Sequence, residues 1–320
     1  MSGEAAFIAA LRAIATSPAA RGLADDAAVL EIGGSRLVLT MDAIVEGVHF
    51  LPHDPPDTVA WKLVATNVSD LAAKGARPCG CLLTYPLADD TAWNTAFLAG
   101  LQQACEHFVI PLLGGDTVRQ PEGSARSFAL VALGEPEPNV AVPSRTGASA
   151  GDIVWVSNAI GDAGIGLSIL RGESGARPAD RDALIAAYRR PQPSPDLGVA
   201  LAPHVSAMMD VSDGLLIDLK RLATASNLAA LIDLDAMPLS QAFVDTAGND
   251  REARLRAASA GDDYCLLLTA PPTAQASLEA AAARCGATLH RVGKLVEGHG
   301  LIILFAGEPI APPPSLGFEH

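Results

Sequence analysis

Between Glu135 and Gly151 the sequence turns rich in proline, glycine and serine, and this break falls toward the middle of 320 residues. On either side of it, short apolar runs of strand character alternate with stretches of helical periodicity. A chain of this length can bury two cores. The break therefore predicts two domains, residues 1–140 and 141–320.

The first part reads as a strand over Arg36–Met41 after the Gly33-Gly34 turn, then a helix over Asp57–Lys74 with Ala60, Leu63, Val64, Asn67 and Leu71 on one stripe. A strand over Cys79–Tyr85, a helix over Asp90–Phe108 and a strand over Ser127–Leu133 follow. The second part restarts with a strand over Ile153–Ser157 and the glycine-rich Gly161–Gly166. Another strand ends near Val211, and a helix starts near Gly214 with Ser212 or Asp213 as N-cap. Strands are predicted at Leu228–Leu234, Tyr264–Thr269, Leu289–Leu295 and Leu301–Phe305. The pattern fits the α+β class, with two domains that are each a mixed sheet with helices packed on one side.

Composition narrows the partners. Hydrophobic residues make up 49% and charged residues 18%, which leaves little room for long disorder. With 36 acidic against 22 basic residues the net charge is -14, and an acidic chain gains nothing from the phosphate attraction that drives nucleic-acid binding. Cys79, Cys81, Cys105, Cys265 and Cys285 form no CxxC pair, and their odd number argues against a disulfide framework. Ala5–Ala15 reads as an amphipathic first helix without a basic leader, and no apolar run approaches the roughly 20 residues needed to cross a bilayer. A cytoplasmic protein with neither nucleic-acid nor membrane partners is expected.

The chemistry sits on aspartates at strand ends and turns. They are Asp25 and Asp26 in ADDAAVL, Asp42 in LTMDAIVEGVHF, Asp70 in NVSDLAAKG, Asp116 in LLGGDTVR, and Asp210 and Asp213 in MMDVSDGLL. Taken singly, each is better explained by a turn or a helix cap. Gathered, they would raise one another's pKa unless a cation joined them, and magnesium prefers carboxylate and phosphate oxygens. Asp70 adds weight, because aspartate is a poor residue inside a helical pattern.

Two glycine segments were candidates for phosphate contact. Leu112–Thr117 would let the backbone approach a phosphate, although tight turning explains it better. Gly161–Gly166 (GDAGIG) lacks the order of a dinucleotide fingerprint, and no GxxxxGK[ST] run occurs. His49, His53, His107, His204, His290, His299 and His320 show no HExxH or paired-ligand spacing, and no GxSxG elbow is present.

In order along the chain, DDAAVL (25–30), MDAIVEGVHF (41–50), NVSDLAAKGARP (67–78), GGDTVR (114–119), SRTGA (144–148), DVSDGLLIDL (210–219), GDDYCLLLT (261–269) and the terminal GFEH resemble the thiamine-monophosphate kinases. That family belongs to the superfamily of aminoimidazole ribonucleotide synthetase. The resemblance implies ATP-dependent phosphorylation of thiamine monophosphate to thiamine diphosphate, with several magnesium ions and ATP as co-substrate. It also implies a homodimer whose N-terminal sheets pair into a barrel.

Carried over by motif, Asp26, Asp42, Asp70, Asp116, Asp210 and Asp213 match metal ligands, and Thr40 and Met41 adjoin them. Gly115, Asp116, Arg145 and Ser212 match ATP contacts; His49, Asp262 and Phe318 match contacts to the thiamine substrate. Asp42, Asp116 and Arg145 are the residues expected to matter most for turnover. Met41 stands where threonine is usual, so only its carbonyl could touch a metal. Asp262 is one methylene shorter than the usual glutamate, and Cys265 replaces a usual acidic residue. The rival readings are a selenophosphate or purine-pathway synthetase, a hydrogenase-maturation dehydratase, or a non-catalytic thiamine-phosphate or nucleotide-binding protein. The selenium enzyme would need a reactive cysteine near the N-terminus, whereas the first cysteine here is Cys79. A protein that had lost activity would be expected to lack some of these aspartates.

Overall fold

The computed structural model describes residues 3–121 and 123–319, so His320 lies outside the described residues. The first domain runs through α1 (Gly3–Arg12), β1 (Ala28–Ile32), β2 (Ser35–Val45), α2 (Pro56–Ala73), β3 (Ala76–Leu87), α3 (Thr91–His107), β4 (Leu112–Arg119) and β5 (Ser127–Pro136). Its strands lie in the order β1-β2-β5-β3-β4, antiparallel except for the parallel pair β3–β4. Side chains along a strand alternate between the two faces of a sheet. Val38, Ile44, Leu83, Phe128 and Leu130 point into a core shared with α2 and α3. On the opposite face, Ile32, Met41, Leu82 and Val118 remain exposed.

The second domain comprises β6 (Ile153–Val156), α4 (Asp162–Leu170), α5 (Pro178–Arg189), α6 (Pro195–Leu201), β7 (Ala207–Asp210), α7 (Leu215–Ala225), β8 (Ala229–Asp233), α8 (Gln241–Ala247), α9 (Arg251–Ser259), β9 (Leu266–Ala270), α10 (Gln275–Arg284), β10 (His290–Val296), β11 (Gly300–Phe305) and β12 (Glu308–Ile310). Its strands take the order β12-β11-β8-β10-β6-β9-β7, with β11–β8 the parallel pair.

Both sheets are mixed, in keeping with the α+β reading, but the second is covered by helices on both faces. Val154, Val156, Met209 and Leu267 pack with Ile165 of α4, Leu219 of α7 and Ala257 of α9. Ile153, Trp155, Met208 and Leu268 pack on the other side with Leu197 of α6, Leu278 of α10, and Ala72 and Ala73 of α2. A strand such as β6, buried at all four positions, needs two covered faces.

Three local differences from the sequence reading have physical causes. Six helices, α4, α5, α6, α8, α9 and α10, stand where none was read. None exceeds 12 residues, too few turns to carry a clear apolar stripe. Leu112–Thr117 is part of strand β4 rather than a turn. A Cβ on Gly115 would lie 1.9 Å from the Leu83 carbonyl oxygen, so glycine is required there by the approach of β4 to β3. The helix near 214 begins at Leu215 after Gly214, with neither Ser212 nor Asp213 as its N-cap.

Candidate active site

Helix α2 is buried nearly all round from Val59 to Ala73. Its polar side chains must therefore find partners inside the protein, and those partners assemble the site. Asn67 donates through Nδ2 to the Leu63 carbonyl at 2.9 Å, while its Oδ1 accepts the Asp42 amide at 2.9 Å. This fixes β2 at Asp42, within the strand. Ser69 Oγ donates to Asp210 Oδ2 at 2.7 Å, reaching into the second domain. Asp70 accepts from the Thr40 hydroxyl.

The oxygens of Asp26, Asp70 and Asp210 lie within 4.8 Å of one another. Asp26 is held by Arg145, whose Nε donates to Oδ1 at 2.7 Å. Its Oδ2 is ion-paired with the buried Lys74 ammonium, whose Nζ stands 2.6 Å away. Crowding shows in the protonation equilibria. Burial, with Asp26 and Asp213 nearby, pushes Asp42 up to about 6. Burial and Asp26 push Asp210 up to about 8. Asp70 is raised well above the carboxylate range by burial and then by Asp42, Asp210 and Asp26. Carboxylates that oppose one another's ionisation, with oxygens gathered this closely, are the donor set that suits an oxygen-seeking divalent cation.

The turn after β7 is held from within. Asp218 Oδ2 accepts the amides of Ser212 at 3.0 Å, Asp213 at 3.0 Å and Gly214 at 3.3 Å. Arg221 bridges Asp213 and Asp218. These amides already have an acceptor, so the turn meets a ligand through side chains and carbonyls. The Phe318 amide donates to the Asp213 carbonyl at 2.9 Å, which ties the C-terminal segment to the same turn.

Beside the cluster is a cavity of about 410 Å³ whose walls include Asp42, His49, Ser212, Asp213, Asp262 and Phe318. His49 Nδ1 accepts the Val45 amide at 3.0 Å, which sets the ring against the end of β2. Two domains thus contribute to one cavity.

Three sequence candidates lie elsewhere in the chain. Met41, Gly115 and Asp116 line a separate depression on the uncovered face of the first sheet. Asp116 pairs with Thr84, Thr84 with Ala129, and Ala129 with Ala43. Asp116 is therefore three strands from β2, about 14 Å at ~4.8 Å per strand. It also sits on the face opposite Asp42. Within one chain it does not join the cluster.

The sequence reading missed three residues of the site. Lys62 and Lys74 fall in a helical pattern where lysine ordinarily faces water, and Asp218 lies inside DVSDGLLIDL without an apparent task. The only available signal was that Lys74 directly follows the aspartate-bearing stretch of a strongly apolar helix.

Residues 24–135 match the family model "AIR synthase related protein, N-terminal domain", and residues 149–305 match its C-terminal counterpart. The chain is 40% identical to the thiamine-monophosphate kinase of Caulobacter vibrioides, over 95% of this chain and 86% of that one. Its fold superposes on AaThiL complexed with AMPPCP and TMP with a TM-score of 0.83 and 29% identity, covering 97% and 95% of the two chains. The thiamine-monophosphate kinase of Stenotrophomonas maltophilia K279a gives a TM-score of 0.77 at 34% identity, covering 95% of each.

Proposed function

The chain belongs to the thiamine-monophosphate kinase family of AIR synthase related proteins, and from that premise we infer that it transfers the γ-phosphoryl group of ATP to the phosphate of thiamine monophosphate. The bond between the γ-phosphorus and the ADP oxygen breaks as an oxygen of the acceptor phosphate bonds to that phosphorus, giving ADP and thiamine diphosphate. The observation that carries this reading is the shared cavity. Asp42 and Asp213, one from each domain, line it together with His49, Asp262 and Phe318, beside the buried Asp26–Asp70–Asp210 cluster.

Magnesium is the metal this donor set favours. Asp26, Asp42, Asp70, Asp210 and Asp213 would hold it, with the Thr40 hydroxyl and the Met41 carbonyl as further oxygen donors. When bound, it supplies neutralisation of phosphate charge, which lets two anionic reactants approach. The protein's own part is alignment. Arg145, already directed at Asp26, contributes a guanidinium for phosphate oxygens, and Ser212 presents its hydroxyl at the mouth of the turn. Phe318 offers a ring face for the thiamine rings, and His49 and Asp262 offer polar contacts.

A second copy of the chain completes the arrangement. The uncovered face of the first sheet carries exposed Ile32, Met41, Leu82 and Val118, the kind of apolar sheet surface that a partner sheet buries. In such a homodimer the partner's Gly115–Asp116 segment would supply the ATP and metal contacts that one protomer leaves apart. Across the boundary near residue 140, the first domain supplies the dimerisation face and Asp26, Asp42 and Asp70, and the second adds Arg145, Asp210, Ser212 and Asp213 to the magnesium and ATP contacts. No described helix is long and apolar enough to cross a membrane, and a cytoplasmic location fits substrates of this kind.

Incubation with ATP, magnesium and thiamine monophosphate, followed by separation of the thiamine esters, tests the reading. Thiamine diphosphate should form, and none should form from free thiamine. ATP hydrolysis without that product would refute the substrate.

A further inference from the structure

Lys62 lies midway along α2 with a side chain only 2% exposed, and its ammonium is aimed at the second domain. Nζ donates to Asp262 Oδ2 at 2.9 Å and to the His49 carbonyl at 3.0 Å. It also stands 3.9 Å from the centroid of the Tyr188 ring. The other carboxylate oxygen, Asp262 Oδ1, accepts from the Tyr264 hydroxyl at 3.0 Å.

The backbone around Asp262 is strained. Asp262 and Tyr264 have φ of +70° and +46°, in the left-handed region that costs a non-glycine residue about 1–3 kcal/mol. Such conformations persist where neighbouring contacts over-determine them. Here the amides of both residues are tied back, to the Ser212 and Val211 carbonyls at 2.8 Å each. The segment is thus set at a fixed distance from α2, and Lys62 closes that distance.

We propose that Lys62 is the positioning residue of the thiamine side of the site. It clamps the Asp262 carboxylate across the domain boundary and leaves that carboxylate's remaining lone pairs as acceptors of fixed direction in the cavity. An ionised carboxylate offers about four acceptor sites; Lys62 and Tyr264 occupy two. Because an ammonium already balances Asp262, a cationic ring gains little from it as a bare counter-charge. What Asp262 provides is an oriented acceptor, selective for a heteroaromatic ring bearing an N–H donor. The Lys62 link also shortens the reach required of Asp262, by holding its loop close to the first domain. The inference rests on the kinase reading above and adds to it a residue that touches no reacting atom.

Steady-state kinetics on the full chain test it, with Lys62→Met, Asp262→Asn and the double variant, each substrate varied in turn. Lys62→Met should raise KM for thiamine monophosphate about tenfold or more, the equivalent of ~1.4 kcal/mol, and change KM for ATP less than about twofold. The double variant should be no worse than the poorer single variant, since both remove one device. Equal rises in both KM values, or effects that multiply in the double variant, would overturn the proposal. If Lys62→Met does not fold, Lys62→Gln with Asp262→Asn gives the same cycle. Should the wild type form no thiamine diphosphate, the kinase reading fails by itself. Calorimetric binding of thiamine monophosphate to wild type and Lys62→Met then still decides, a tenfold loss supporting the clamp and unchanged affinity overturning it.

Discussion

Lys74 Nζ lies 2.5 Å from Asp25 Oδ1 and 2.6 Å from Asp26 Oδ2, and the lysine side chain is wholly buried. One flank of the carboxylate cluster is therefore balanced by a cation that belongs to the chain. The effect on Asp25 is visible: burial alone would raise its pKa, but Lys74, Ser144 and Arg21 outweigh that and hold it below the ordinary value. Lys74 also donates to the Met208 carbonyl at 3.0 Å, joining α2 to β7.

Removing that ammonium takes away the fully buried cation that Asp25 and Asp26 share, leaving each with one partly exposed arginine, Arg21 and Arg145. Lys74→Met should destabilise the protein by about 3–5 kcal/mol, the range for breaking a buried ion pair from one side. Urea unfolding at neutral pH measures it. A loss below about 1 kcal/mol would place the pair among ion pairs of surface strength.

The raised carboxyl groups set a pH dependence for the metal-free protein. A group whose folded pKa exceeds its ordinary value of 3.8 binds protons more tightly when folded. The stability it contributes is present below that value and is lost as pH rises, through about 6 for Asp42 and about 8 for Asp210. In chelator, the unfolding free energy should fall between pH 5 and pH 8, by an amount on the order of a few kcal/mol. Magnesium should restore it at pH 8, because the ion binds the ionised form. Asp210→Asn should flatten the dependence, and a profile that rises with pH would contradict the crowding of these groups.

The turn that carries Ser212 and Asp213 depends on one carboxylate. Asp218→Ala leaves three buried or half-buried amides without their acceptor, at about 1–3 kcal/mol for each unsatisfied group. KM for ATP should rise about tenfold or more, while Asp218→Asn, which keeps one acceptor oxygen, should lose less. Equal kinetics in the two variants would remove Asp218 from the positioning of this turn.

The aspartates were legible in sequence as an ordered set rather than singly: Asp42 and Asp210 directly follow apolar strand residues, and Asp70 sits inside a helical pattern that disfavours aspartate. Asp26, Asp70 and Asp210 lie with their oxygens within 4.8 Å of one another. Lys62 and Lys74 were not legible, since helical periodicity reports which face is apolar but not that a second domain covers the opposite face. Asp116 shows a different limit. Its residue type and glycine neighbours suggested a phosphate contact, but the face it occupies depends on the pairing Thr84–Asp116, which no local pattern encodes. The second sheet's double cover was hidden for a related reason: helices of 12 residues or fewer carry little periodic signal.

That placement of Asp116 leads to the sharpest test of the assembly. If each site takes Asp70 from one chain and Asp116 from its partner, Asp70→Asn and Asp116→Asn should each abolish turnover as pure homodimers. Mixed and re-associated in equal amounts, they should recover activity. Half of the dimers would then contain one chain of each kind, and in those dimers one site has both mutations and the other has neither. Turnover should return to about a quarter of the wild-type rate. A site built within one chain predicts no recovery at all, because every chain in the mixture carries a lesion. Measuring product formation before and after mixing, with Asp42→Asn replacing Asp70→Asn as a second pairing, separates the two arrangements without any assumption about how the copies dock.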